Sequence, residues 1–304
     1  MSTTTATSKV PAQRSTPPAA TNPRRVRRRG ERGPLASVLS HGVLTVASLI
    51  ALFPIAWLVY LSVGPDKDDY LHPGGIAGKA TLDNYTYVLQ HTGFFDWMKS
   101  TLVVAVGTTL VGVLFAATTG YAVSRMRFPG YRPLMWVLLL TQAFPIAVLI
   151  VPMYEIFSEL GLIDSYLGLV LVNCTTIVPY CTWLMKGYFD TVPVDIDEAG
   201  RIDGLSPFGT FWRLILPLAK PGIAVAAFYA FITAFAEVAF ASTFLLDDSK
   251  YTFAVGLQSF VSEHDAQWNL MAATAVLIAV PVTAFFYLVQ KHLVTGLTAG
   301  GTKG

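Results

Sequence analysis

Between two long apolar runs the chain gathers acids, two arginines and turn formers in the stretch EAGRIDGLSPFGTFWRLILP, from Glu198 to Pro217. Paired carboxylates can do acid–base work, but Asp197 and Arg201 stand four residues apart, the spacing of a helix-stabilising ion pair. That spacing predicts structure rather than catalysis. His41, His72, His91, His264 and His292 are scattered over loops and span ends, with neither metal-ligand spacing nor a partnered nucleophile. Cys174 and Cys181 lie inside one apolar run and read as small buried hydrophobes rather than a disulfide or metal pair. No G-x-x-x-x-G-K-[ST] loop is present to cradle nucleotide phosphates, and the terminal GGTKG lacks both the spacing and a following helix. The chain is expected to carry no catalytic centre, metal or cofactor of its own.

The elements that hold this stretch are expected to be membrane spans. Of 304 residues, 53% are hydrophobic and 13% charged, too apolar for an ordinary soluble domain. Six runs, at 41–63, 100–124, 133–157, 166–187, 221–246 and 269–290, approach the ~20 apolar residues that a bilayer-crossing helix needs. The expected fold class is an all-α polytopic membrane protein with six transmembrane helices. Pro54, Pro145, Pro152, Pro179 and Pro281 fall inside these runs, where a kink is tolerated if neighbours satisfy the freed carbonyls.

Short cytoplasmic loops retain Lys and Arg. The tail before the first run holds Lys9, Arg14, Arg24, Arg25, Arg27, Arg28, Arg29 and Arg32; the loops after the second and fourth runs add Arg125, Arg127, Arg132, Lys186, Arg201, Arg213 and Lys220. The other loops are acidic, so both termini and the stretch around Glu198 are expected on the cytoplasmic side. The basic residues crowd into the tail without interleaved aromatics, and nucleic acid is not an expected partner. Residues 1–38 are expected to form a disordered basic cytoplasmic tail that can contact anionic membrane lipid. A cleaved signal peptide is the competing reading, but the following apolar run is too long for a signal core. The spans then occupy 39–291, including a cytoplasmic loop at 188–220, and 292–304 form a C-terminal tail.

Within that loop two short helices are expected. Thr191 can cap the first, whose early turn holds Pro193, Asp195, Asp197 and Glu198; Gly204 stops it. Ser206 and Pro207 open the second, and Pro217 marks the next break. Phe208, Phe211, Trp212 and Ile215 recur at helical spacing and predict one apolar face. A structural elbow and a docking surface for a partner both fit that face.

Glu198-Ala199-Gly200, Gly204 three residues on, and Leu214-Ile215-Leu216-Pro217 nine residues further resemble the cytoplasmic EAA loop of bacterial ABC importer membrane subunits, E-A-A, x3, G, x9, I-x-L-P. Gly200 stands for alanine and Leu214 for isoleucine. Lys186-Gly187-Tyr188-Phe189, the run 231–244 with Glu237, and the ending at 293–304 are similar to the G-type membrane subunit of maltose/maltodextrin transporters. The resemblance implies a type I ABC importer permease architecture in a bacterial inner membrane. It implies that the loop, through Glu198, Ala199, Gly200, Asp203, Gly204, Phe208, Phe211, Trp212, Leu216 and Pro217, docks on a separate ATP-binding cassette ATPase dimer, which uses ATP and Mg. It further implies ATPase contact by Gly296, Leu297, Thr298, Gly300 and Gly301, and contact of Phe260, His264 and Trp268 with an external sugar-binding protein. A second, non-identical permease subunit is the implied partner in the membrane. Maltose or a maltodextrin is the implied solute, with trehalose or another sugar as the alternative; an ion-gradient-driven secondary transporter is the rival mechanism.

Glu237 is the one acid deep in an expected span, where a charge costs about 2.5 kcal/mol or more unless paired or hydrated. It reads as a gate or cavity group, or as a polar contact to a neighbouring helix through Thr233. Gln142, Asn173, Thr175 and Thr176 offer hydrogen bonds either to sugar hydroxyls in a pathway or between helices.

Overall fold

A computed structural model describes residues 34–65, 79–126, 128–261 and 266–301, except for the side chains at 34–36, 288, 289 and 291–301. The expected basic tail, apart from the start of the first helix, lies outside the described residues, as do His72 and His264. The regular structure among the described residues is helical, apart from one isolated antiparallel bridge between Val261 and Ala266.

Two compact units divide the chain after Leu52. The described part of the first is the opening of α1 (Pro34–Ser62), whose residues from His41 to Leu52 are all exposed, as are Val38 and Leu39. The second unit holds every other helix: α2 (Asp83–His91), α3 (Phe94–Arg125), α4 (Tyr131–Thr141), α5 (Ile146–Glu159) and α6 (Tyr166–Phe189) come first. There follow α7 (Asp195–Ile202), α8 (Pro207–Thr210), a π turn (Phe211–Ile215), α9 (Leu216–Leu218), α10 (Lys220–Phe235), α11 (Ala241–Phe244), a 3-10 turn (Asp248–Lys250), α12 (Phe253–Gln258) and α13 (Trp268–Gly301).

Four of the described helices are long and apolar enough to cross a membrane, and up to six spans result if each of two bent pairs counts as one. The expected third span is not one helix. It breaks between Thr141 and Ile146, and α4 and α5 meet at 105°; Pro145, extended at φ −62° and ψ 129°, caps α5. The expected fifth span is also interrupted. Its helix α10 ends at Phe235 after 16 residues, about 24 Å at ~1.5 Å per residue, and the chain resumes helix only at Ala241. The last helix runs on past the expected end of its span, its backbone helical to Gly301, so 292–301 of the expected C-terminal tail continue α13.

Small residues let the central helices approach. A Cβ on Gly120 of α3 would meet the Lys186 amide nitrogen at 3.0 Å and Met185 Cβ at 3.1 Å, so bare backbone there brings α3 against the last turns of α6. Ala116 and Ala117 of α3, and Ala226, Ala230 and Ala234 of α10, are buried on the same core, the small-residue interface typical of membrane helices. Cys181 and Cys174 are free and buried, the Cys181 thiol 3.7 Å from the Ala226 carbonyl.

Away from this core, Asn84 ties three elements together: its amide donates to the Ser62 and Gly64 carbonyls at 3.0 and 2.7 Å and accepts from Asn269 at 3.0 Å. Between α5 and α6, Asp164 takes a left-handed φ of 56°. Its carboxylate accepts from the Leu246 and Asp247 amides at 3.0 and 3.1 Å and from Lys250 Nζ, clipping that turn to the loop after α11.

Candidate functional site

The EAA-like segment begins where α3 and α6 end. α7 is preceded by Val194, which supplies no side-chain cap. Thr191, expected as the cap, instead donates its hydroxyl to the Tyr188 carbonyl at 2.7 Å, because its carbonyl-rich neighbour is the exposed end of α6. Gly204 ends the helix in the left-handed region at φ 79°, as expected for a glycine just past a helix terminus. Ser206 caps α8 by accepting from the Gly209 amide at 3.1 Å.

The second helix of the segment departs from regular α geometry. Pro217 has no N–H and its ring crowds the carbonyl four residues back; the chain widens ahead of it into the π turn, and the Leu216 amide bonds to the Phe211 carbonyl. This turn separates the four residues expected on one face. Phe211 and Ile215 are 2% and 0% exposed, whereas Phe208 and Trp212 are 67% and 41% exposed with their rings 5.9 Å apart. The buried pair joins a ring cluster: Phe211 lies 4.9 Å from Tyr121 of α3 and 6.3 Å from Phe189 of α6.

The expected Asp197–Arg201 pair is replaced by a longer-range one. Asp197 is buried, and its two carboxylate oxygens accept from Tyr121 OH at 2.7 Å and Arg125 Nε at 2.9 Å. Arg201 is exposed. Burial favours this partner because a desolvated carboxylate requires a fixed, hydrogen-bonded counter-charge. Arg125 Nη2 also donates to the Val192 carbonyl at 2.8 Å. Nearby, Ser124 and Lys186 both donate to Asp190, at 2.7 and 2.6 Å.

Glu198, Ala199, Asp203, Gly204 and Pro217 are exposed, Leu216 is half-buried and Gly200 is buried. The outward surface has an apolar residue that the motif does not flag: Ile202, 86% exposed. Its signal was visible as a lone isoleucine between Arg201 and Asp203. Tyr121 and Arg125 left only a faint one, polar groups closing an apolar run.

The remaining sequence candidates do not join this site. Gln142, at the break between α4 and α5, donates to the Thr176 carbonyl of α6 at 3.0 Å. With Thr141, Phe144, Leu149, Thr175 and Thr176 it lines a groove of about 360 Å³. Asn173 is 1% exposed, outside that lining, and neither of its amide atoms has a protein partner among the described residues. Both Glu237 oxygens are engaged by backbone, accepting from the Phe240 and Ala241 amides at 2.7 and 3.0 Å at the start of α11. Phe260 is buried against Trp97, rings 6.1 Å apart, while Trp268 is 40% exposed. The side chains of Leu297 and Thr298 lie outside the described residues, and the backbone at Gly296, Gly300 and Gly301 is helical. Among the described residues no group of three His, Cys, Asp or Glu is placed to hold a metal.

The chain matches a family model of binding-protein-dependent transport system inner membrane components over residues 108–298. The maltodextrin transport system permease protein MdxG of Bacillus subtilis (strain 168) is 36% identical over 275 residues, 89% of this chain and 97% of that one. The galactooligosaccharides transport system permease protein GanQ of the same organism is 33% identical, over 88% and 95%. The trehalose transport system permease protein SugB of Mycobacterium tuberculosis (strain CDC 1551 / Oshkosh) is 32% identical, over 84% and 93%. Among solved structures, a crystal structure of a bacterial ABC transporter involved in the import of the acidic polysaccharide alginate shares the fold. Its TM-score is 0.72 at 22% identity, over 84% of this chain and 96% of the matched chain. With 191 consecutive residues matched and full-length relatives above 30% identity, the chain belongs to the family of inner membrane components of binding-protein-dependent transport systems.

Proposed function

We propose that this chain is the permease subunit of an ATP-driven importer of maltodextrin-like oligosaccharides, working with a second permease, an ATPase dimer and an external sugar-binding protein. One observation carries the coupling role: the segment 195–217 is firmly seated on one side and exposed on the other. Phe211, Ile215 and Asp197 are buried, while Glu198, Ile202, Phe208 and Trp212 stand exposed. Exposed apolar side chains on an elbow anchored from its other side suit a helix-in-groove partner. The Lys and Arg content of the adjoining loops supports a cytoplasmic position for this elbow, where the ATPase dimer would bind ATP and Mg.

In this reading ATP-driven closure of the dimer moves the elbow, and the spans rock between inward- and outward-open states. The loaded binding protein favours the same outward state through its differential affinity. The groove at Gln142, Thr175 and Thr176 faces the solute pathway, and the end of α13 reaches the ATPase pair. The oligosaccharide assignment draws on the named substrates of the relatives, which include maltodextrin, galactooligosaccharides and trehalose.

The test is uptake of labelled maltose by cells carrying all four components, with ATPase co-purification measured alongside. Native cells should accumulate maltose, and Ile202→Asp should insert normally yet lose both the ATPase and uptake. Uptake of trehalose or a galactooligosaccharide in place of maltose would change the solute and keep the mechanism. Full ATPase retention and uptake by Ile202→Asp would refute the coupling role.

A further inference from the structure

We propose that the last turn of α3 is the joint through which motion of the elbow enters the membrane helices, with Asp197 as the positioning residue gripped by Tyr121 and Arg125. This rests on the coupling role proposed above and names how the force would be passed on.

The geometry is specific to a joint. Tyr121 and Arg125 are one helical turn apart and each takes a different oxygen of the same carboxylate, at 2.7 and 2.9 Å. Two donors on two oxygens resist rotation of α7 about its own axis as well as its displacement. Arg125 holds a third point, the Val192 carbonyl, ahead of the helix. The Tyr121 ring meanwhile packs on Phe211, so one α3 residue grips both halves of the elbow. The pair is well enclosed, its side chains 9% and 6% exposed for Arg125 and Asp197. α3 in turn packs along α6 and α10, so whatever moves Asp197 moves the core.

Stability alone is a poor reason for this arrangement. Burying an ion pair gains little over apolar residues of the same volume, whereas the elbow needs a fixed orientation if a push on its outer face is to be transmitted. A hydrogen-bonded charge pair supplies that orientation, and apolar packing, which tolerates sliding, supplies less of it.

The experiment uses the assembled four-component complex in proteoliposomes, comparing native protein with Asp197→Asn, Tyr121→Phe and Arg125→Lys. The readout is sugar transported per ATP hydrolysed, with ATPase retention measured on the same preparations. Asp197→Asn, nearly isosteric, should keep the ATPase and hydrolyse ATP but move roughly tenfold less sugar per ATP, a typical size for coupling between sites. Tyr121→Phe, which keeps the ring and loses the hydroxyl, should fall between. A native ratio in Asp197→Asn overturns the proposal, as does lower assembly with a native ratio, which would leave the pair merely structural.

If native complexes take up no sugar, the importer reading fails, and the joint is then judged by hydrogen exchange on the purified complex. Faster exchange of the α7 amides in Asp197→Asn supports the grip, and native protection overturns it.

Discussion

Leu214 occupies space that only a glycine at 200 leaves open: a Cβ on Gly200 would stand 3.0 Å from Leu214 Cδ1. These are the two positions at which the segment departs from the EAA pattern, and they face each other. Thr210 closes the same gap, its Oγ1 and Cγ2 at 2.9 and 3.1 Å from that Cβ.

Gly200→Ala should therefore overpack the elbow, at about 1–3 kcal/mol. Leu214 can swing its flexible end aside, but Thr210 cannot, and its buried hydroxyl has no partner among the described residues. Adding Thr210→Ala should recover most of the loss. A thermal-melting double-mutant cycle in detergent checks this; additive losses would count against the contact.

Phe208→Ala and Phe211→Ala should behave oppositely although three residues apart. The exposed Phe208 contributes little to the fold, within about 0.5 kcal/mol, and its loss should lower ATPase retention. The buried Phe211 should cost roughly 3–5 kcal/mol and reduce the monodisperse yield. Size-exclusion profiles and ATPase pull-down on each variant separate the two effects.

Glu237 distinguishes a cap from a gate. A cap needs acceptors for the Phe240 and Ala241 amides, each on its own oxygen. Gln keeps one oxygen and turns a donor toward the other amide, so Glu237→Gln should lose part of the cap's stability while the folded protein transports near the native rate. Glu237→Ala should lose stability by about 1 kcal/mol, as cap removals do. Loss of uptake in the folded Gln variant would show that the charge itself is used.

The clip between Asp164 and Lys250 should give stability a pH dependence with two limbs. The hydrogen bond from Lys250, helped by the Asp247 and Leu246 amides, holds the Asp164 carboxyl below its ordinary 3.8. Its contribution is complete above that value and is lost as pH falls through the lower, folded one. The hydrogen bond to Asp164 raises Lys250 above its ordinary 10.5, so that contribution is complete below 10.5 and lost as pH rises through the higher value. Asp164→Asn should flatten part of the acid limb in a melting-temperature series; the rest belongs to groups such as Asp247, also lowered, chiefly by Ser249.

Much of this protein was legible in order along the chain. Long apolar runs announced membrane helices because a helix in lipid must satisfy its own backbone groups over a fixed thickness. Gly204, Ser206 and Pro207 announced the elbow because stopping and capping a helix are local acts. What the tertiary structure decided were matters of partnership. A proline inside an apolar run reads alike as kink or break, and neighbouring helices settle which; here the third span breaks at Pro145. Helical spacing put Phe208, Phe211, Trp212 and Ile215 together, and the π turn ahead of Pro217 parted them. Asp197 had Arg201 at the right spacing in sequence, yet it pairs with Arg125, 72 residues away, because burial against α3 makes a desolvated, fixed partner worth more than a solvated neighbour.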